Sequence, residues 1–222
     1  MNTWLKSALY GALIVFGALA LVVGLAIAGC QQAVYPLARA FGSPPESELV
    51  RCRTAFQQLQ SRLATSRVRV EPVYCADHSQ TNRLWRDDLA QLLVREAGTR
   101  TQARFVIAPM RPDVGPTVFG HNQLRYLWER ATAYSHWLQE APPGADYVWC
   151  VEIFGAKGTV GAIQIYIFDA KGQVAYRRLF NSHQFGTNLS MESEEPIRLV
   201  VKTLFEDLLR DPKAVFPPYG VG

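Results

Sequence analysis

Residues 7–29 run for 23 consecutive positions without a charged side chain. A helix needs about 20 apolar residues to cross a bilayer, and it satisfies all its backbone polar groups internally, so hydrocarbon tolerates it. Lys6 stands just before the run, as the positive region of a secretory leader requires. A core helix of a soluble domain fits this length and position poorly. The segment is therefore expected to be either a cleaved leader or a membrane helix. With Lys6 on the inner side and Arg39 the only nearby competing charge, both outcomes place the rest of the chain outside the cytoplasm.

The run closes on Ile27-Ala28-Gly29-Cys30. An aliphatic residue, two small ones and a cysteine in this order resemble the lipobox of bacterial lipoprotein signal peptides. The resemblance implies that Cys30 becomes the first mature residue and carries acyl chains, which supply the multiple signals that stable anchoring needs. Gln31, where an aspartate would favour the inner membrane, leans towards the outer membrane in that family's sorting pattern. The competing reading is an uncleaved single span. It is favoured by length, since ordinary signal cores run to about 7–15 residues. Gly11, Gly17 and Gly24 would then allow close packing against other helices.

Beyond residue 29 the chain has 22 basic and 19 acidic side chains, a net +3. They are evenly scattered, with Arg51–Arg53 and Arg177–Arg178 the densest pairs, so a nucleic-acid partner is not expected. The overall 49% of apolar residues suffices for a packed core. The length fits one domain with appendages. The expected division is a leader or membrane helix (1–29), a Pro/Gly-broken tether (30–45), an α/β domain facing the periplasm (46–212) and a Pro-rich tail (213–222). Cys52, Cys75 and Cys150 would leave room for at most one disulfide, but small buried hydrophobes describe Cys75 and Cys150 better.

Within the domain, Leu49, Cys52, Phe56, Leu59 and Leu63 fall on one helical face. Residues 67–75 read as a strand, with Pro72 forcing an edge or a bulge. Residues 81–97 read as a helix buried through Leu84, Trp85, Leu89, Leu92 and Leu93, stopped by Gly98. A short strand at 104–109, a Pro/Gly-rich loop at 110–120 and a helix at 122–140 follow. Three strands come next, at 146–155, 159–169 and 173–183, with Gly172 at the left-handed turn position. In the middle strand Ile163, Ile165 and Ile167 alternate with Gln164, Tyr166 and Phe168, the period of a sheet with one face in the core. Ser193 is placed to cap the last helix, whose stripe is Ile197, Val200, Val201, Leu204, Phe205 and Leu208. The expected fold is α+β, a two-layer α/β domain. It has a mixed sheet of about five strands, a C-terminal antiparallel meander and helices on one face.

This order, and above all Ala145-Asp-Tyr-Val-Trp-Cys-Val-Glu152 followed by Ile165-Tyr-Ile-Phe-Asp-Ala-Lys-Gly-Gln-Val-Ala-Tyr176, resembles a domain shared by three groups. They are the curli-assembly lipoproteins, the lipoprotein activators of penicillin-binding proteins and the N-terminal domain of the Tol-system propeller protein. The resemblance implies a domain that binds envelope proteins and has no catalytic residues to transfer. The helix at 122–140 is not part of the shared pattern. No alternating segment long enough for a membrane barrel hairpin is present, so pore formation is not implied.

The motifs of catalysis are missing. His78, His121, His136 and His183 show no metal spacing, no Cys/His pattern suggests zinc, and no GxSxG elbow occurs. No cofactor or metal is expected, and a periplasmic hydrolase is the minor alternative. Gly155-Ala-Lys-Gly158 lacks the phosphate-loop spacing and reads as a turn. Asn188-Leu-Ser190 is a sequon without a use in a bacterial lipoprotein. Tyr and Trp suit binding surfaces. That makes Tyr126 and Trp137, off the main stripe of their helix, and His121 just before it, the candidate binding residues. The charges Asp88/Arg95 and Glu129/Arg130 read as solvated helix faces. The expected function is a non-catalytic lipoprotein of the bacterial envelope, outer membrane favoured, that binds or regulates another envelope protein or a second copy of itself. The runner-up is a single-span inner-membrane subunit of a larger complex.

Overall fold

A computed structural model describes residues 46–79, 82–109, 111–114, 123–140, 144–181 and 188–216; of residues 82–83 and 123–128 it describes the backbone alone. Residues 1–45, with Cys30 among them, lie outside the described residues.

The domain opens with helix α1 (Glu46–Arg62), which carries Glu46 and Glu48 in its first turn and Arg62 in its last and buries Leu49, Cys52, Phe56 and Leu59. Acids at the start and a base at the end match the helix dipole. Strands β1 (Arg67–Val70) and β2 (Val73–Asp77) follow, then β3 (Asn82–Arg86), helix α2 (Asp87–Gly98) and β4 (Arg104–Ile107). Helix α3 (Gln123–Glu140) leads into β5 (Tyr147–Ala156), β6 (Thr159–Asp169) and β7 (Val174–Asn181). Helix α4 (Glu195–Asp207) and the short α5 (Pro212–Val215) close the described chain.

The sheet is mixed, as expected, and its seven segments make it five positions wide. Val68–Val70 of β1 and Tyr74–Asp77 of β2 pair in succession, in parallel, along one edge of β5. One extra residue is accommodated between them at Glu71-Pro72, where the Glu71 N–H still donates to the Trp149 carbonyl at 2.9 Å. This is a β-bulge in the middle of a sheet: proline has no N–H to offer the ladder, and the extra residue lets the strand continue past it. Outside β1 runs β4 in parallel, and outside β2 runs β3 antiparallel. The far edge of β5 carries the antiparallel meander β5–β6–β7. The β5–β6 turn puts Lys157 at φ 53° and Gly158 at φ 73°, a left-handed pair that matches strand twist.

Four expectations are corrected. The segment 82–86, assigned to the second helix, is an edge strand. Its Trp85 ring lies 5.0 Å from that of its cross-strand neighbour Tyr74, and Leu84 is 50% exposed rather than buried. The helix begins only at Asp87, where Asp87 and Asp88 give its first turn the acids the dipole favours. Ser193 does not cap α4: its hydroxyl donates to the Ser190 carbonyl at 3.0 Å, and Glu194 stands at the cap position without a side-chain capping bond. The middle strand is buried on both sides, with Gln164, Tyr166 and Phe168 as inaccessible as the isoleucines between them. The reason is the fourth difference. Three helices share one face: Phe56 of α1 stacks on Tyr176, whose hydroxyl donates to Asp207 of α4, and α2 is tied to α4 through Arg95–Glu194 and Glu96–Arg198. Helix α3 covers the opposite face through Tyr134, which packs on Tyr166 and Phe168.

Candidate functional site

Beneath α3 the sheet presents buried charge beside the rings of Tyr166 and Phe168. Glu152, in the otherwise apolar strand β5, is fully buried, and Arg130 of α3 comes down on it with 5% exposure. Arg130 Nε donates to Glu152 Oε1 at 2.7 Å, and the Tyr134 hydroxyl, one turn further along, donates to the same oxygen at 3.0 Å. Arg130 also donates through Nη1 to the Val114 carbonyl at 2.7 Å, pinning the start of the long loop to the helix that follows it. Its guanidinium lies over the rings of Tyr134 (5.1 Å) and Tyr74 (5.9 Å). The sequence pattern puts Arg130 on a solvated face. The structure corrects this: a strand acid with no water needs a cation, and α3 supplies it.

A second pair lies alongside. The bulge residue Glu71 is 1% exposed, and Arg69 Nε approaches its Oε1 at 2.6 Å. The Arg69 guanidinium sits 5.3 Å from the centre of the Trp137 ring on α3. Burial pushes the Glu71 carboxyl up to about 7, against the pull of Arg69. Burial also raises the Glu152 carboxyl, against Arg130 and Tyr134. The Cys150 thiol faces both pairs and is pushed up first by burial, then by Glu71 and Glu152. Next to Glu152 across the strands, Gln164 accepts from the Tyr166 hydroxyl at 2.6 Å. Glu152 keeps one oxygen, Oε2, without a hydrogen-bond partner, and Glu71 has none on either oxygen, its contact with Arg69 being an ion pair. Such groups hold a geometry at an energetic cost, because a desolvated ion pair seldom outperforms well-packed hydrocarbon.

Of the residues singled out from sequence, Trp137 is partly buried against the core and engaged with Arg69. Cys30, His121 and the Tyr126 side chain lie outside the described residues. Cys52, Cys75 and Cys150 are free and buried, and burial raises the first two thiols to about 11 and about 12. Asp77, by contrast, is held down to about 2 by the Ser79 hydroxyl, then by the Gly158 N–H, and so ties β2 to the β5–β6 turn. Among the described residues no cluster of His, Cys, Asp or Glu could hold a metal ion, and no helix is long and apolar enough to cross a membrane. The Arg130–Glu152 pair escapes the motif-based reading, yet it leaves a signal in the sequence: a lone acid inside a continuous apolar strand, and an arginine one turn before a buried tyrosine.

No family model matches the sequence, and no curated protein does. Among solved structures, the chain is similar to a PelC dodecamer from Paraburkholderia phytofirmans, at 10% identity and TM-score 0.36 over 64% of this chain and 87% of that one. The LpoB C-terminal domain from Salmonella enterica gives 14% identity and TM-score 0.35, over 58% of this chain and 96% of that one. The LpoB C-terminal domain from Escherichia coli gives 13% and 0.32, over 58% and 95%. Overlaps this loose bear on neither fold nor function, which rest on strand register and buried contacts.

Proposed function

We propose that this chain is a non-catalytic protein of the bacterial envelope, anchored through its first thirty residues, whose α/β domain binds or regulates another envelope protein. The observation that supports it is the way the buried charges beneath α3 are matched: Arg130 with Glu152 and Tyr134, Arg69 with Glu71. A reacting centre needs ionisable groups that a substrate can reach. Here they are shut between helix and sheet and fix the position of α3, which favours a recognition domain over a catalytic one. On this reading the anchor is acylated Cys30, the domain faces the periplasm, and Tyr126, Trp137 and His121 are the residues proposed to meet the partner or a second copy of the chain. The outer membrane is favoured through Gln31. The alternative, an uncleaved single-span subunit, keeps one specific support, the 23-residue length of the uncharged run.

Intact mass of the protein from the membrane fraction tests the anchor. A chain that starts at Cys30 and bears acyl groups is expected, with palmitate labelling lost in Cys30→Ser. An unmodified chain that retains residues 1–29 in the membrane selects the single span. Full-length product free in the soluble fraction removes the envelope reading altogether.

A further inference from the structure

We propose that a cavity at the β7 edge of the sheet binds a sugar-sized polyol carrying one carboxylate or phosphate. This inference stands apart from the docking role. The cavity has a volume of about 300 Å³, at the small end of ligand sites, and is walled by three elements. Helix α1 contributes Glu48 and Arg51, helix α3 contributes Thr132 and Gln139, and the β6–β7 turn contributes Lys171 and Gln173.

The lining is rich in donors. Lys171 brings an ammonium and Arg51 a guanidinium; Gln139, Gln173 and Thr132 bring amide and hydroxyl protons. The one carboxylate of the lining, Glu48, is already paired with Arg51 on the same helix. Among the described residues nothing pairs with the Lys171 ammonium, the Gln173 amide or the Thr132 hydroxyl. A complementary ligand therefore supplies acceptors and negative charge, and charge-assisted bonds to an oxyanion are the strongest available. The amides and hydroxyls donate and accept alike, which suits ligand hydroxyls. No lining residue is aromatic, so a nucleobase would find no platform, and a bare inorganic ion would leave most of the volume empty.

The turn that holds Lys171 and Gln173 is set in place before any ligand arrives. Asp169 Oδ1 accepts from both of their backbone N–H groups, each at 2.9 Å. Gly172 between them has φ +76°, and a Cβ there would stand 2.9 Å from the Ser135 carbonyl of α3, so only glycine lets the turn close against the helix. Fixed walls cut the ordering cost of binding.

Calorimetric titration of the full chain in detergent with glucuronate, glucose 6-phosphate, glucose and inorganic phosphate tests this. One or both charged sugars are expected to bind with Kd of about 1 mM or tighter, and glucose and inorganic phosphate roughly tenfold more weakly or worse. Whichever charged sugar is preferred identifies the anionic group. Lys171→Ala and Gln173→Ala, both outside the core, should each weaken binding roughly tenfold without moving the thermal midpoint. The proposal is overturned by absence of saturable heat from both charged sugars at about 20 mM, by glucose or inorganic phosphate matching them, or by binding indifferent to both variants.

Discussion

The two faces of the sheet are built from different materials. Under α1, α2 and α4 the contacts are hydrocarbon: Leu49, Phe56, Leu59, Leu89, Leu93, Val200 and Leu204 lie over Val68, Val70, Ile153, Ile163, Ile165 and Ile167. The buried acid on that side, Asp207, sits beside Tyr176 and Arg178 towards the β7 edge. Under α3 the sheet offers Arg69, Glu71, Cys150, Glu152, Gln164 and Tyr166. Hydrocarbon packing is undirected and tolerates change of shape if volume is kept. Paired charges out of water tolerate neither loss of a partner nor a shift in register. The first face therefore supplies stability, and the second specifies where α3 and the loop at Val114 sit.

The largest expected effect separates these roles. Phe56→Ala should destabilise the domain by about 3–5 kcal/mol, through lost transfer energy and a cavity, and no second truncation restores it. Arg130→Met should cost a similar ~3–5 kcal/mol, because Glu152 stays buried without its cation. Here a second change is expected to help: Arg130→Met with Glu152→Leu should recover most of the loss. Denaturant unfolding of the parent, Arg130→Met, Glu152→Leu and the double variant gives the coupling directly. If the double variant is as unstable as the sum of its parts, the α3 face is held by packing and the contrast fails.

Much of this contrast is hidden in one dimension. The meander is legible because β6 alternates cleanly and Gly172 marks its turn. The α1 and α4 stripes are legible because their 3–4 spacing needs no knowledge of partners. Strand β3 is not, since Leu84 and Trp85 extend the helical spacing of Leu89, Leu92 and Leu93, and pairing with Tyr74 overrides it. Arg130 is not, because its partner lies 22 residues away on another element, and a helix arginine is usually solvated. Glu71 sits beside a proline that marks a bulge, but that the bulge turns it inward is not legible without β5.

Proton linkage sharpens the comparison at intermediate size. Glu71 has its folded-state carboxyl raised from 4.5 to about 7, so between those values the folded chain holds more protons than the unfolded one. Its contribution is fully present below pH 4.5 and is lost as pH rises through about 7. Stability is then expected to fall between about pH 5 and pH 8 by at most about 3 kcal/mol from this group. Arg69 is the charged group acting on it and the Cys150 thiol faces it, and the raised Glu152 carboxyl acts in the same direction. Glu71→Gln should flatten the profile. A slope unchanged in that variant assigns the titration elsewhere.

The smallest effect concerns Trp137, a candidate for recognition that the structure also places against Arg69 at 5.3 Å. A cation–π contact of this kind contributes about 0.5–1 kcal/mol, so Trp137→Phe should lower stability by that amount in the parent chain. If the charge of Arg69 is what the indole meets, the loss should shrink towards zero in an Arg69→Met background, measured as a coupling energy. A loss that persists undiminished there means the ring acts by filling space. Trp137 would then owe its place to packing, and the α3 face would be less electrostatic at that end than at Arg130.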